Sequence, residues 1–261
     1  MFPQKQLRTN TKDLFFELIK IDFKLRYNNS VLGFVWVLLK PFLLFLILYT
    51  VFTFIFLNEK NYGLNLLLGI LLFSYFSEGT TRSVTALTDK AHILLKVDFP
   101  RTLTVFVPVA NALINFLFGM LIFIIFWLVS SRTPLGFALF SLARFLPIVA
   151  LLTLMIVAFA FFLSLLFVRF RDLHTIWELL MNLLFYATPI MYPITIFPEN
   201  IQRFLLFNPL AIVITEGRRI LVEGVAPHLT PFLIVFMVSA VFTFYGYIFF
   251  QKNVKKMLEY L

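Results

Sequence analysis

Cysteine is absent from this 261-residue chain, which removes disulfides, thiol nucleophiles and Cys-ligated metals together and leaves the redox compartment unread. Charge is scarce as well. Only 13% of residues are Asp, Glu, Lys or Arg, about half the ~25% of a soluble domain, while 61% are hydrophobic and the mean hydropathy is +0.94. That balance excludes an ordinary soluble domain and reads as an integral membrane protein. There is no GxxxxGK[ST] loop, so the chain cannot bind ATP by a P-loop, and neither HExxH nor GxSxG occurs. The three histidines, His92, His174 and His228, stand apart from one another and suggest no metal site. A membrane-embedded transferase usually clusters carboxylates or a His–Asp pair at the interface; Asp172 near Glu178 and Asp89 near Asp98 are weak material for one. No Gly/Ser linker, charge block or tandem repeat divides the chain, so it reads as one domain.

What the chain does have is a series of long apolar runs. The first, Val31 to Leu57, is apolar apart from Lys40 and two threonines. Roughly 20 helical residues at 1.5 Å each cross the ~30 Å hydrocarbon core of a bilayer, so this run is long enough to span. A mid-membrane Lys costs ~2.5–3.5 kcal/mol and each Leu, Ile, Phe or Val returns about 0.3–0.6, so the flanking residues outweigh it. Lys40 then either snorkels or faces a wet interior. The run is too long, and too many polar residues precede it, for a cleaved signal peptide. A second span begins at Leu64 and passes through Glu78 and Arg82, whose i, i+4 spacing allows a pair that tolerates burial. Further spans are expected at Thr102–Ser130 with a kink at Pro108, Leu146–Val168 after a TPLG turn, Leu173–Met191 and Pro231–Phe250.

Two segments do not fit the spanning pattern. In Thr11–Tyr27, Asp13, Glu17, Lys20 and Lys24 form one stripe and Leu14, Leu18, Ile21 and Leu25 the opposite face, which predicts an amphipathic helix on the membrane surface. Between spans five and six, about 192–230, two apolar bursts too short to cross are separated by Asn208–Pro209 and read as re-entrant half-helices. The expected fold is therefore an all-α polytopic membrane protein with six transmembrane helices. It divides into an interface helix (1–30), a six-helix domain (31–251) and a basic tail (252–261). Fifteen of the 22 lysines and arginines fall on the side shared by both termini, which sets that side in the cytoplasm. The net charge of +9 thus concerns topology, and no nucleic acid partner is expected. Among the aromatics, Trp36, Tyr49, Tyr75, Trp127, Tyr186 and Tyr192 are interface belts or line a conduit; a wet, ring-bordered path would suit the apolar faces of a glycan.

Four stretches in order resemble one family. RYNNSVLGFVWVLLKP (Arg26 to Pro41), LLKVDFPR (Leu94 to Arg101), FVRFRDL (Phe167 to Leu173) and TPIMYPITIFPENIQRFLLFNPL (Thr188 to Leu210) are similar to the membrane subunit of bacterial polysaccharide ABC exporters, the Wzm/TagG-like group that exports O-antigen or teichoic acid. The resemblance implies a multi-pass permease of the bacterial inner membrane, without enzymatic activity. It implies a homodimer working with two copies of a separate ATPase subunit, moving a lipid-linked glycan. ATP–Mg would sit on the partner and no cofactor on this chain. It further implies ATPase coupling at Leu94, Lys96, Val97, Asp98, Phe99, Pro100 and Arg101, and again at Arg171 and Asp172. Arg26, Tyr27, Gly33 and Trp36 match the junction where cargo is taken from the inner leaflet; Arg26 suits a lipid pyrophosphate, although headgroup attraction explains it nearly as well. Pro189, Pro198, Asn208 and Pro209 match an outer gate, and Tyr49, Tyr186, Tyr192 and Asn208 are the candidates for channel or gate. Without the resemblance, RFRD reads as positive-inside anchoring with an Asp helix cap. Two rival functions remain: a related exporter of drugs or lipids, and a membrane glycosyl- or acyltransferase.

Overall fold

The computed structural model describes residues 11–27, 32–56, 59–94, 99–131 and 134–258. Helix is the only regular structure of more than one turn among them. In chain order the helices are α1 (Thr11–Tyr27), α2 (Val35–Phe52), α3 (Tyr62–Val84), α4 (Ala86–Asp89), α5 (Ala91–Leu94), α6 (Thr102–Ser131), α7 (Leu135–Arg169), α8 (Leu173–Ala187), α9 (Glu199–Leu205), α10 (Pro209–Leu221) and α11 (Leu229–Leu258). A single 3-10 turn, Ile194–Ile196, precedes α9.

Among the described residues, four helices are long and apolar enough to cross a membrane: α2, α6, α7 and α11. The two other expected spans are present as helices but fall short of that standard for physical reasons. α3 is 23 residues long yet carries Asn65, Glu78 and Arg82, and α8 is apolar but only 15 residues long. α3 is the axis of the fold. It packs against α2, α6, α7, α8 and α10, and its side chains from Leu66 to Leu72 are buried without a break. A helical stretch buried all round needs no amphipathic stripe, and the polar residues of α3 lie outside that stretch, toward the two ends of the helix. α7 packs along α11 and α3, with 67% of its apolar window buried, against 6% for α2. The poorly covered faces of α2, α8 and α11 present large apolar side chains outward, the arrangement lipid requires.

Several boundaries differ from expectation. The fourth span starts at Leu135, not Leu146, because only Pro134 of TPLG stops a helix; Leu and Gly continue into α7, with Pro134 at its N-cap. α8 ends at Ala187, short of Met191, since Pro189 cannot extend it. α11 runs on to Leu258, so its last turns carry Lys252, Lys255 and Lys256. α6 continues as helix through Pro108. The apolar face assigned to α1 also splits. Leu18 is buried and Leu14 half-buried, whereas Ile21 and Leu25 are exposed, because the stripe facing the protein runs through Leu18, Asp22 and Arg26.

Candidate functional site

α2 and α8 pack on α3 and leave between them an open cavity of about 1180 Å³, floored by α3 and α6 and reached by the end of α1. It extends along α3 from Thr85 to Leu71, which is 14 helical residues or about 21 Å. Along α8 it runs from His174 to Tyr186. Charged groups gather at one end: Arg26, Glu78, Arg82, His174 and Glu178. Rings gather toward the other: Phe73, Tyr75, Phe185 and Tyr186.

The charged end is built around one carboxylate. Glu78 Oε1 accepts from Arg26 Nη1 at 2.6 Å, from Arg82 Nε at 2.9 Å and from Asn115 Nδ2 at 2.8 Å. The expected i, i+4 pair is thus real but incomplete, since α1 and α6 contribute the other two donors. A second polar joint lies beside it. Asp22 accepts from Asn111 Nδ2 at 2.7 Å and pairs with Lys90 Nζ at 3.5 Å, tying α1 to α6 and to the α4–α5 turn. Burial pulls the Lys90 ammonium below the usual lysine value, and Asp22 and Asp89 hold it up. Asn111 and Asn115, four apart in the otherwise apolar α6, were the readable signal for both joints.

The opposite end of α3 is closed rather than open. Arg218 of α10 donates to three backbone carbonyls: Asn65 at 3.0 Å, Pro189 at 2.8 Å and Ile190 at 2.8 Å. Tyr62 donates to the Met191 carbonyl at 2.8 Å. The chain after α8 is therefore held against α3 by its own backbone. A Cβ on Gly69 would lie 2.8 Å from Arg218 Nη2, so glycine is needed for that approach. Asn208 caps α10, accepting from the Leu210 N–H at 3.0 Å, and its Nδ2 donates to Thr188 Oγ1 at 2.9 Å. Glu216 of α10 accepts from the His228 N–H and faces its Nδ1, both at 2.9 Å, which fixes the approach to α11. Neither Arg218 nor Glu216 was singled out in the sequence.

The sequence-derived candidates divide accordingly. Arg26, Trp36 and Tyr186 border the cavity, as does Lys40. Tyr49 instead stacks on Phe45 and Tyr62, 5.4 and 6.3 Å between ring centres. Tyr192 donates to the Tyr186 carbonyl at 3.1 Å, and Asn208 is the cap just described. Leu94 and Phe99 are buried and Arg101 half-buried; Lys96, Val97 and Asp98 lie outside the described residues, as does the side chain of Tyr27. Arg171 and Asp172 are exposed in the three-residue link between α7 and α8. Arg171 lies over the Phe167 ring, 5.4 Å from its centre. Asp172 occupies the N-cap of α8, yet its side chain makes no cap hydrogen bond, so the expected helix cap is positional only and the carboxylate faces solvent.

Three similarities to known proteins accompany this geometry. The chain is 29% identical over 257 residues to an O-antigen export system permease protein, RfbA, of Klebsiella pneumoniae, covering 95% of both. It is 27% identical over 252 residues to RfbA of Myxococcus xanthus, again covering 95% of both. With the polysialic acid transport protein KpsM of Escherichia coli it shares 23% over 244 residues, 91% of this chain and 92% of that one. Residues 13–222, from the first turn of α1 to just past α10, match the ABC-2 type transporter model, and the chain belongs to that family of membrane transport subunits.

Proposed function

We propose that this chain is the channel-forming permease subunit of an ATP-driven exporter that moves a lipid-linked polysaccharide across the bacterial cell membrane. The observation that carries the reading is the cavity: a path bordered by guanidiniums at one end and rings further in, within a chain similar along its length to polysaccharide export permeases. Arg26 and Arg82 suit the phosphates of a carrier lipid, and Phe73, Tyr75 and Tyr186 suit sugar faces. The cavity is open between α2 and α8, both of which carry outward apolar side chains, and a second copy of the chain would enclose it; the working unit is then a homodimer.

Energy comes from two copies of a separate ATPase subunit. The link at Arg171 and Asp172, short and joined directly to the long helix α7, and the segment from Leu94 to Arg101, which leads into α6, receive its motion. Asp22 and Lys90 extend that connection to α1. In this reading α2, α3, α6, α7, α8 and α11 are six spans, both termini are cytoplasmic, and α9 and α10 are re-entrant on the outer side, where Asn208, Tyr192 and the neighbouring prolines form the gate. The absence of cysteine makes the topology testable: a lone cysteine at Arg203 should react with an impermeant maleimide in intact cells, and one at Lys256 only after permeabilisation.

The functional test is reconstitution of this chain with its ATPase in proteoliposomes loaded with lipid-linked glycan. ATP-dependent delivery of the glycan to the opposite leaflet is expected. Delivery of a drug or a plain phospholipid in its place, with the glycan left behind, would overturn the cargo assignment; glycan delivery by this chain with no ATPase would overturn the division of labour.

A further inference from the structure

Of the described lysines and arginines that border the cavity, all but one have a carboxylate beside them. Arg26 and Arg82 share Glu78, and His174 Nδ1 lies 3.8 Å from Glu178. Lys40 lies one helical turn beyond Trp36 on the same face of α2, and both border the cavity. Lys40 is exposed to it, and no carboxylate among the described residues pairs with its ammonium. Pro41 adds to this. Having no N–H, it leaves the Val37 carbonyl without its helical donor, and Val37 and Pro41 also border the cavity. An ammonium kept within a spanning helix costs free energy unless something offsets it, and its position in a wet path points to what passes through.

Resting on the exporter reading, we propose that Lys40 is a specificity-determining residue and that the polymer this chain moves carries acidic groups, carboxylate or phosphate, on its repeating sugars. Trp36 and Lys40 form a two-part reader. The indole stacks on the apolar face of a sugar ring, and the ammonium one turn away meets the anionic substituent. A lysine suits a moving polymer better than an arginine would. It is a compact charge that follows a substituent on a flexible stem, without the bidentate geometry that would hold each repeat in place. Arg26 and Arg82 are each held on Glu78, whereas the Lys40 ammonium has no carboxylate among the described residues to hold it and is the one free to follow a passing substituent.

The test uses the full chain assembled with its ATPase in lipid nanodiscs, titrated with fluorescein-labelled hexagalacturonate and with a neutral hexagalactan of the same linkage. The wild-type complex should bind the acidic probe about five- to tenfold more tightly at low ionic strength, and added salt should erase the difference. Lys40→Met should abolish the preference without weakening neutral-probe binding. Lys40→Arg should retain it and Lys40→Glu reverse it. Equal binding of the two probes by the wild type, binding of neither, or a preference that survives in Lys40→Met would each overturn the inference. Proteoliposome transport run alongside separates the two claims: ATP-driven glycan delivery without acidic preference removes only the role of Lys40, whereas no glycan delivery at all removes the exporter reading itself.

Discussion

The two ends of α3 use the same chemistry to opposite effect. Near Asn65 every nitrogen of a guanidinium donates to a backbone carbonyl, so the group is held by the protein's own chain. Near Glu78, 13 residues or about 20 Å along the helix, two guanidiniums and an amide converge on a single carboxylate oxygen at the wall of an open cavity. The first arrangement locks a segment of chain in place. The second gathers charge at an open surface. An arginine in a membrane protein therefore carries no fixed meaning; what its donors are spent on decides whether it is a strut or a binding group.

The comparison can be broken by mutation, and the largest effect belongs to the strut. Arg218→Met leaves three enclosed carbonyls without a donor and should cost about 3 kcal/mol or more, since hydrogen bonds to charged groups are each worth about 1.5–3. Loss of the monodisperse complex on size-exclusion chromatography, before any transport is measured, is the expected outcome. A variant that stays folded while transport stops would move Arg218 into the working site.

Glu78→Gln should show the reverse pattern. It removes the charge that balances Arg26 and Arg82 in a wet cavity, so the loss of stability should be smaller than for Arg218→Met, while transport falls about tenfold through misplaced guanidiniums. A thermal shift as large as that of Arg218→Met, with transport per folded complex unchanged, would erase the distinction between the two ends.

Two smaller effects sharpen it. Asn208→Ala removes an N-cap and the contact with Thr188 at the closed end, and should lower stability by about 1 kcal/mol with transport per folded molecule retained. Asp172→Ala lies outside both ends. With no cap hydrogen bond to lose, it should leave thermal stability unchanged and lower only transport-linked ATP hydrolysis in the assembled complex. Hydrolysis at the wild-type rate in reconstituted vesicles would remove Asp172 from the coupling surface.

How much of this was legible in the chain follows from the range of each interaction. The bounds of α1 and of α6 could be read, because hydrophobic periodicity and run length are local properties. So could the Glu78–Arg82 pair, four residues apart on one helix, and the break between α9 and α10 at Asn208. The start of α7 was misplaced because a Thr-Pro-Leu-Gly string signals a turn even when only the proline acts as one. The polar joints that set the two ends of α3 apart were hidden. Arg218 meets a carbonyl 153 residues away, Asp22 an amide 89 residues away and Arg26 a carboxylate 52 residues away, and no periodicity encodes such pairings. Lys40 was visible as a misfit, but its place on the border of the cavity was not.

Because the natural chain has no cysteine, one thiol can interrogate the path directly. Ser74 borders the cavity on α3, toward its ring-lined end, whereas Val238 on α11 faces away from the protein. Ser74→Cys and Val238→Cys, each carried in the assembled exporter, should be labelled to completion with a bulky maleimide and assayed for ATP-driven glycan export. Export should stop on labelling at Ser74 and continue on labelling at Val238. Export that proceeds unchanged with Ser74→Cys fully labelled would contradict the assignment of this cavity as the route.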